Sequence, residues 1–498
     1  MDLAADIRKA FSAYSTNSAF CINEMHFTYI QFEERVNAIS ELLHAEAKGQ
    51  ALRVGVVTTD NINTYAAILA CWSSGYTYVP LNCNYPLERN DFIINHAAIN
   101  IVLTTNDVKP YTESVNLKTI NSDTLTVPIN EVIHGRAVEA GGLAYILFTS
   151  GSTGVPKGVP ITYSNLQAFV DNFDALGLGI NSTDKCIQMY ELTFDLSIAS
   201  FLIPLLKGAC VYTVPEDVIK YTHIIKLVTK HQLTVLQIVP SVIKLLKPLL
   251  SRIEAPSVRL CILGGEATDI ELLPMWQQAM PNASICNMYG PTEATIYCMY
   301  YAYTPDNVKH YNGMFGIGKP MPEVSMTVVD ENGNIVPADV KGELCIGGSQ
   351  VTVGYLNNEE KNKQAFIDLN YSGNLQRFYK TGDMCYYDDA GDYYYCGRFD
   401  NQVKIQGFRI ELSEIEFAVR KLLNINNVVL TLKNKHDIPE LVLVLETNNA
   451  INEDAFYESI QLELPVYMKP SGIKYLPQFP LNNSGKTDRK EIEKLVHA

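Results

Sequence analysis

The chain has 498 residues, of which 39 are basic and 54 acidic, so its formal net charge is −15. At about 100–200 residues per domain, this length predicts at least two domains. The composition is 47% hydrophobic and 19% charged, which excludes collagen-like and disordered classes. The acidic balance argues against nucleic-acid binding, which needs Lys and Arg on phosphates. No run approaches the roughly 20 apolar residues of a membrane span.

The eleven cysteines are scattered singly, without a C-x-x-C pair, and most lie in apolar runs. This usage indicates a reducing compartment, with neither a disulfide framework nor a zinc site. The N-terminus has no basic region followed by an apolar region, so it is not a secretory signal. We therefore expect a cytoplasmic protein.

Strand-like and helix-like patterns alternate over the first ~400 residues. Helices are predicted over 30–46 and 64–72, and strands over 52–58, 210–214, 235–239 and 260–263. Strands that alternate with helices are typical of α/β architecture with largely parallel sheets. From Gly342 onward the pattern becomes strand-rich.

The pattern changes near residue 400. A helix over 411–423, strands over 428–433 and 441–445, a helix over 453–462 and a loop-rich tail follow. Ser413 and Glu416 suit a capping box for the first of these helices. About 100 residues with their own core pattern are enough for a domain. We therefore expect one domain over 1–399 and a second over 400–498.

The segment 149–158, TSGSTGVPKG, follows an apolar strand over 143–148. Its glycines let the backbone come close to a ligand, and successive N–H groups in such a turn form an anion-binding concavity. A flexible connector is the alternative, but the strand before it, the hydroxyl density and the lysine favour a phosphate cradle. The candidate phosphate ligands are Thr149, Ser150, Gly151, Ser152, Thr153, Gly154 and Lys157.

This segment is not a Walker A loop, which requires G-x-x-x-x-G-K-[ST]. Lys157 is followed by Gly158, and a similar stretch at Gly485-Lys486-Thr487 has Pro480 in place of the first glycine. The sequence therefore excludes a P-loop NTPase.

TSGSTGVPKG resembles the phosphate-loop signature of the adenylate-forming superfamily, which contains acyl-CoA synthetases, luciferases and adenylation domains of peptide synthetases. Further matches follow in the expected order: FDLS at 194–197, NMYGPTEAT at 287–295, GELCIGGSQVTVGYL at 342–356, YKTGDM at 379–384, GRFDNQVKIQGFRIELSEIE at 397–416 and NSGKTDR at 483–489. Over nearly its whole length the chain resembles a stand-alone amino-acid adenylation domain, similar to D-alanine–carrier-protein ligases. The resemblance implies a large N-terminal domain of αβαβα layers and a small mobile α+β C-terminal domain.

The resemblance also implies an AMP-forming acid–thiol ligase that uses ATP and Mg²⁺. Such an enzyme forms an acyl-adenylate, releases pyrophosphate and transfers the acyl group to the phosphopantetheine thiol of a carrier protein, as in nonribosomal peptide synthesis. Negative charge builds on the phosphorus oxygens, so the site must supply cations and hydrogen-bond donors there. Two alternatives remain: an acyl- or aryl-CoA ligase that uses free coenzyme A, and a non-catalytic nucleotide-binding relative.

The resemblance implies a role for each nucleotide residue. Tyr289 stacks on adenine beside Asn287, Asp383 binds the ribose hydroxyls, Thr292 binds the α-phosphate and Glu293 holds Mg²⁺. The remaining nucleotide positions are Gly265, Gly290, Tyr395 and Arg398.

Lys486 is implied to bridge the acyl carboxylate and the phosphate, although a lysine on such a loop would otherwise be a solvated charge. Asp400 is implied to be the hinge between two poses of the C-terminal domain. One pose presents Lys486 for adenylation, and the other presents the Gly407 loop for thioester formation.

Asp195 is implied to pair with a substrate α-ammonium, which favours an amine-bearing acid; the alternative is that it caps a helix. The other acid-pocket positions are Leu196, Ala199, Gln237, Ile262, Gly264, Met288, Ile296 and Tyr297. Ala199 and Gly264 are smaller than the Met and Cys of D-alanine ligases, so we expect room at the pocket floor. A medium or aromatic side chain, or an amine-bearing aryl acid, should then fit better than alanine.

No carrier-like segment follows Arg489, so we expect a separate carrier protein as the acceptor. Carrier proteins are usually acidic, which predicts a basic docking patch near Lys404 and Arg409.

Overall fold

The computed structural model describes residues 2–106, 108–125, 139–151, 155–215, 218–306, 308–434, 437–481 and 487–497. The helices are α1 (Leu3–Ala13), α2 (Tyr29–Ala47), α3 (Ile62–Ser73), α4 (Leu87–His96), α5 (Tyr163–Ala175), α6 (Asp195–Leu206), α7 (Lys220–His231), α8 (Pro240–Leu246), α9 (Leu272–Ala279), α10 (Glu359–Ala365), α11 (Leu412–Leu423), α12 (Glu453–Ile460) and α13 (Arg489–His497). Short 3₁₀ helices cover Ser122–Thr124, Lys247–Arg252, Thr292–Ala294 and Val466–Met468. No helix within these ranges is both long and apolar enough to cross a bilayer.

The strands are β1 (Ser18–Ile22), β2 (Met25–Thr28), β3 (Arg53–Thr58), β4 (Thr77–Asn82), β5 (Ile101–Thr104), β6 (Lys118–Asn121), β7 (Leu143–Thr149), β8 (Lys157–Thr162), β9 (Lys185–Gln188), β10 (Cys210–Thr213), β11 (Val235–Ile238), β12 (Leu260–Gly264), β13 (Ser284–Tyr289), β14 (Met299–Ala302), β15 (His310–Tyr311), β16 (Met314–Phe315), β17 (Lys319–Pro320), β18 (Val324–Val329), β19 (Gly342–Gly348), β20 (Phe366–Tyr371), β21 (Asn374–Tyr387), β22 (Tyr393–Arg398), β23 (Gln402–Ile405), β24 (Phe408–Glu411), β25 (Asn427–Lys433), β26 (Pro439–Glu446) and β27 (Gly472–Leu476).

Two large sheets build the N-terminal part. One has nine strands in the order β17-β14-β13-β12-β11-β9-β10-β1-β2, and the other has six in the order β6-β5-β3-β4-β7-β8. The central strands of both run parallel, while antiparallel partners stand at the edges. The predicted α/β class with largely parallel sheets is therefore confirmed. A five-stranded antiparallel sheet of β18 to β22 follows, as the strand-rich pattern after Gly342 indicated.

Helices α3 and α6 lie at the centre of the main core. Trp72 of α3 stacks on Phe201 of α6 with ring centroids 5.9 Å apart, and its indole N–H donates to the Ala144 carbonyl on β7 at 3.0 Å. Both helices are apolar nearly all round, as expected for helices buried between two sheets. Parallel strands end at a common edge of each sheet, and ligands of open α/β sheets bind there.

The last hundred residues have a hydrophobic cluster of their own, made of residues between Val403 and Tyr475 on α11, α12 and strands β23 to β27. The predicted helices and strands of this part are confirmed. The tail, expected to be loop-rich, also contains β27 and α13.

The capping box proposed for Ser413 and Glu416 is wrong. Helix α11 begins at Leu412, and its N-cap Glu411 makes no capping hydrogen bond through its side chain. The Glu416 carboxylate accepts from the Val429 backbone N–H at 2.8 Å and pairs with Arg489. Glu416 therefore makes tertiary contacts with β25 and α13 and does not cap α11, as its local spacing had suggested.

Candidate functional site

A cavity of about 290 Å³ lies at the carboxyl ends of β12 and β13. It gathers seven predicted nucleotide residues from distant parts of the chain: Gly265, Asn287, Tyr289, Gly290, Asp383, Tyr395 and Arg398. Met288, predicted for the acid pocket, also lines it, as do Lys404 and Phe315, which the sequence did not single out as nucleotide residues.

Asp383 is the centre of a hydrogen-bonded chain in this cavity. The Tyr289 hydroxyl donates to its Oδ2 and the Arg398 guanidinium pairs with its Oδ1. Arg398 also holds Asp400 with two hydrogen bonds of 2.6 and 2.8 Å. Burial opposes the charge of Arg398, but the two carboxylates outweigh it and raise the pKa of the guanidinium. Asp383, predicted to bind the ribose, and Asp400, the predicted hinge, therefore both pair with Arg398.

The opposite end of the cavity is closed by backbone. The Asn287 amide donates to the Gly316 carbonyl at 3.0 Å, and within the described residues its Oδ1 has only a long contact of 3.4 Å from the Thr268 hydroxyl. A Cβ on Gly290 would lie 2.2 Å from the Ile296 carbonyl oxygen, so only glycine fits there. The Asn287 oxygen is the acceptor that an exocyclic amine could use.

Glu293 is fully buried at the phosphate end of the site. Arg409 Nη1 donates to both of its oxygens at 3.0 and 2.7 Å, and the Tyr355 hydroxyl donates to Oε1 at 2.7 Å. Burial alone would raise the pKa of this carboxyl, but Arg409 and Lys157 lower it to about 2. Burial and the neighbouring Arg409 lower the pKa of Lys157 to about 8.

The phosphate loop contacts the C-terminal part of the chain. The Ser150 hydroxyl donates to the Arg409 carbonyl at 2.9 Å, and the Gly151 N–H donates to Glu414 Oε2 at 3.3 Å. Glu414 in turn pairs with Arg89 at 2.7 Å, and both side chains are buried. A carboxylate of the C-terminal part therefore occupies a donor of the predicted phosphate cradle.

Four predicted residues lie outside the described residues: Ser152, Thr153 and Gly154 of the phosphate loop, and Lys486. Thr149 is described, and its hydroxyl has no hydrogen-bond partner within the described part of the chain. Thr292 lies in the 3₁₀ helix Thr292–Ala294 beside Glu293. The roles given to these residues stay predictions.

The fit of Mg²⁺ depends on Glu293. Among the described residues, no group of three or more His, Cys, Asp or Glu side chains could hold a metal ion. Mg²⁺ at phosphate sites often uses one or two carboxylates, several waters and substrate oxygens, so a single glutamate is sufficient. Glu293 meets this need once Arg409 releases its oxygens.

Asp195 opens helix α6 and is buried. Phe194, not Asp195, is the N-cap of the helix, and no side chain caps it. Asp195 Oδ2 has no hydrogen-bond partner among the described residues. Burial and the charge of Glu293 raise the pKa of this carboxyl to about 6, although Thr292 and Lys404 lower it. The buried acceptor suits an incoming cation better than the helix-capping alternative.

The other predicted acid-pocket residues are all buried: Leu196, Ala199, Gln237, Ile262, Gly264, Met288, Ile296 and Tyr297. The expected room at the pocket floor is absent at Gly264. A Cβ there would lie 2.8 Å from Cε1 of Tyr297. The tyrosine ring fills the space that the small residue leaves.

The hairpin of β23 and β24 reaches into the site. The Gly407 N–H donates to Glu266 Oε1 at 2.9 Å, and Lys404 Nζ lies 5.7 Å from the centre of the Tyr289 ring. Burial lowers the pKa of Lys404. Lys404 and Arg409 themselves face the site, so neither is a surface charge of the basic docking patch expected near them, and the patch stays a prediction. The alternation of side chains along β23 and β24 could not by itself show which face of the hairpin would pack against the core.

A second cavity, of about 710 Å³, lies between the hairpin and the core, with Leu196, Val239, Gly407 and Tyr467 in its wall. Phe408 stacks on Tyr467 with ring centroids 4.3 Å apart, and Phe194 packs edge-on against Phe408 at 5.0 Å. These three rings pack one wall of the cavity across the junction of the two parts.

Residues 8–356 match a family model described as "AMP-binding enzyme". Gramicidin S synthase 1 of Brevibacillus brevis is 30% identical over 481 residues, which are 95% of this chain and 42% of that protein. Bacitracin synthase 1 of Bacillus licheniformis is 29% identical over 481 residues, 96% of this chain and 9% of that protein. The chain thus spans less than half of either relative.

Solved structures share the fold. The Vibrio cholerae adenylation domain AlmE, solved with glycyl-adenosine-5'-phosphate, is 25% identical with a TM-score of 0.87, covering 99% of this chain and 97% of that one. A nonribosomal peptide synthetase protein with adenylation and carrier domains also has a TM-score of 0.87 at 21% identity, covering 99% and 84%.

Proposed function

This chain belongs to the AMP-binding enzyme family, and on that premise we propose that it activates an amino acid as its adenylate and then passes the acyl group to a phosphopantetheine thiol. The observation that carries the proposal is the buried Asp195 Oδ2, which has no hydrogen-bond partner among the described residues. A cavity lined by seven predicted nucleotide residues supports it. The glycyl-adenylate in the Vibrio cholerae domain supports an amino acid as the acid.

In the first step, an oxygen of the amino-acid carboxylate attacks the α-phosphorus of ATP and the bond to the β-phosphate oxygen breaks. Asp195 holds the α-ammonium, while Asn287, Tyr289 and Asp383 hold the adenosine. Glu293 would hold Mg²⁺, which would neutralise charge on the phosphate oxygens. Lys486 and Lys157 bring positive charge to the same region, where the transition state gains negative charge.

In the second step, the thiol loses its proton to solvent, its sulfur attacks the acyl carbon, and the bond from that carbon to the AMP oxygen breaks, so that AMP leaves. The contact of the Gly407 N–H with Glu266 supports this pose of the hairpin for the second step. The 710 Å³ cavity beside Leu196 and Gly407 supports a channel for the pantetheine arm. We propose a separate carrier protein as the source of this thiol.

We further propose that residues 400–498 act as a mobile lid over the core of residues 1–399. The separate hydrophobic cluster of this part supports a unit that can move as one body. Asp400 lies between β22 and β23, where a hinge could absorb the change, and it must then exchange its contact with Arg398. All eleven cysteines are free thiols, which supports the cytoplasm as the location.

ATP–pyrophosphate exchange over L- and D-amino acids and amino-substituted aryl acids tests the first step. We expect exchange that depends on one amino acid or a few. The absence of exchange with every acid would refute adenylation and favour a non-catalytic nucleotide-binding relative.

The acceptor is tested with the adenylate already formed. We expect faster acyl transfer to a carrier protein bearing phosphopantetheine than to free coenzyme A. Faster transfer to coenzyme A would show that the protein is a CoA ligase.

A further inference from the structure

Tyr297 occupies the floor of the acid pocket. A Cβ at Gly264 would lie 2.8 Å from Cε1 and 2.9 Å from Oη of Tyr297, and 3.1 Å from the Met288 carbonyl oxygen. Real Cβ atoms essentially never approach within 3.0 Å of another heavy atom. Tyr297 is only 1% exposed. The glycine therefore makes room for the tyrosine ring and not for a substrate side chain.

Hydrogen bonding fixes the ring of Tyr297. The Gln237 amide Nε2 donates to the Tyr297 hydroxyl at 2.9 Å, and Gln237 is itself buried. Gln237 and Tyr297 are two positions that the sequence offered for the acid pocket. The structure shows them hydrogen-bonded to each other, so the Tyr297 hydroxyl already has a buried partner.

The backbone before Tyr297 is held in a strained turn. Thr295 and Ile296 have φ of 54° and 73°, a region that β-branched residues rarely adopt. The Gln350 amide donates to the carbonyls of Ala294, Thr295 and Tyr297 at 3.2, 3.2 and 2.8 Å. Such strain persists where the surroundings over-determine it. The turn therefore fixes the backbone from which the tyrosine projects.

Three further predicted pocket residues are packed in the interior. Ala199, Ile262 and Ile296 are at most 1% exposed, and none of them lines the 290 or the 710 Å³ cavity. Leu196 lines the larger cavity and Met288 the smaller one. A substrate side chain that extended toward Gly264 would meet the Tyr297 ring.

We propose that Tyr297 makes this site selective for amino acids whose side chain is no larger than a methyl group, namely glycine and alanine. The inference rests on the proposed adenylation and names its substrate class. It replaces the expectation of a medium, aromatic or aryl substrate, which assumed an open floor at Gly264.

The test is ATP–pyrophosphate exchange with glycine, both alanine enantiomers, leucine and phenylalanine. For the wild-type protein we expect kcat/KM for glycine or alanine to exceed that for leucine and phenylalanine by at least about 100-fold, since larger side chains overlap the ring. Tyr297→Ala should shift the ratio of leucine to glycine upward by about the same factor. Tyr297→Phe, the matched control, keeps the ring and should keep the preference.

Each outcome bears on the inference. A wild-type preference for leucine or phenylalanine would overturn it while leaving adenylation intact. An unchanged preference in a folded Tyr297→Ala variant would show that another residue closes the pocket, which overturns the role given to Tyr297. If Tyr297→Ala does not fold, the preference of the wild-type protein among the five amino acids still tests the inference. Exchange with no acid at all would refute the proposed function together with this inference.

Discussion

Arg89 and Glu414 join the core to the C-terminal part in the observed arrangement. Nη1 of Arg89 lies 2.7 Å from Oε1 of Glu414, and the two side chains are 7% and 2% exposed. We expect Arg89→Met to weaken this arrangement selectively. The substitution keeps a long apolar side chain beside Tyr85 but leaves the Glu414 carboxylate buried without its cation.

The expected size follows from the burial of both partners. Removing one member of a buried ion pair costs about 3–5 kcal/mol. In a pose where the C-terminal part turns away, Glu414 reaches water and the cost disappears. The lower figure corresponds to a shift of roughly 100-fold between the two poses, at about 1.4 kcal/mol per tenfold.

The assay separates the two steps. Pyrophosphate exchange at saturating ATP measures adenylation, and single-turnover transfer from the preformed adenylate to pantetheine measures thioester formation. We expect exchange to stay within about threefold and transfer to slow by roughly 100-fold. Arg35→Met on α2 is the matched control, because this half-buried arginine donates to the Gln31 carbonyl of its own helix and lies over the Phe27 ring, away from the junction of the two parts.

Equal slowing of both steps would mean that Arg89 supports the fold and not one pose. Unchanged transfer would refute the reasoning outright, because the buried pair would then contribute nothing to the arrangement. Thermal unfolding of both variants distinguishes a general loss of stability from a shift between poses.

Three further predictions test the site. First, KM for the preferred amino acid should rise up to tenfold per pH unit as pH falls below about 6. The ammonium binds the ionised form of Asp195, whose pKa is raised to about 6. A flat KM between pH 5 and 7 with the fold retained would contradict this. Second, Gln350→Ala should lower the free energy of unfolding, measured in urea, by about 3 kcal/mol, because three carbonyls and the Asn172 amide lose a buried partner. The control Gln376→Ala, at a partly exposed position with one hydrogen bond, should lower it by about 1 kcal/mol or less. Lys486→Ala should reduce exchange by orders of magnitude with an unchanged melting temperature, and exchange near the wild-type rate would remove Lys486 from the chemistry.

Much of the candidate site could be predicted because its residues lie in short motifs at fixed spacing. Asn287, Tyr289 and Gly290 follow one another at the end of a single strand, and Asp383 lies in a second motif that the fold brings to the same cavity. Local patterns also predicted the helices and strands of the core, since burial between layers leaves a clear apolar periodicity.

Contacts between distant residues could not be predicted in this way. Arg409 meets Glu293 across 116 positions, and nothing in an alternating hairpin tells which carboxylate its arginine will find. The space beside Gly264 likewise depends on Tyr297, which comes from a turn after the next strand. A small residue creates room only if its neighbours leave that room empty.

The contacts of Arg409 and Glu414 with the predicted phosphate end have a consequence for ATP binding in the proposed mechanism. Arg409 covers the carboxylate predicted for the metal, and Glu414 covers the Gly151 N–H. If the metal and the phosphates use these groups, ATP binds only the fraction of molecules in which the contacts are open, and the apparent dissociation constant rises by the inverse of that fraction. Weakening the Arg89–Glu414 pair should then tighten ATP binding and slow acyl transfer. A stronger pair would have the opposite effects, so affinity for ATP and the rate of the second step cannot both be raised through this contact.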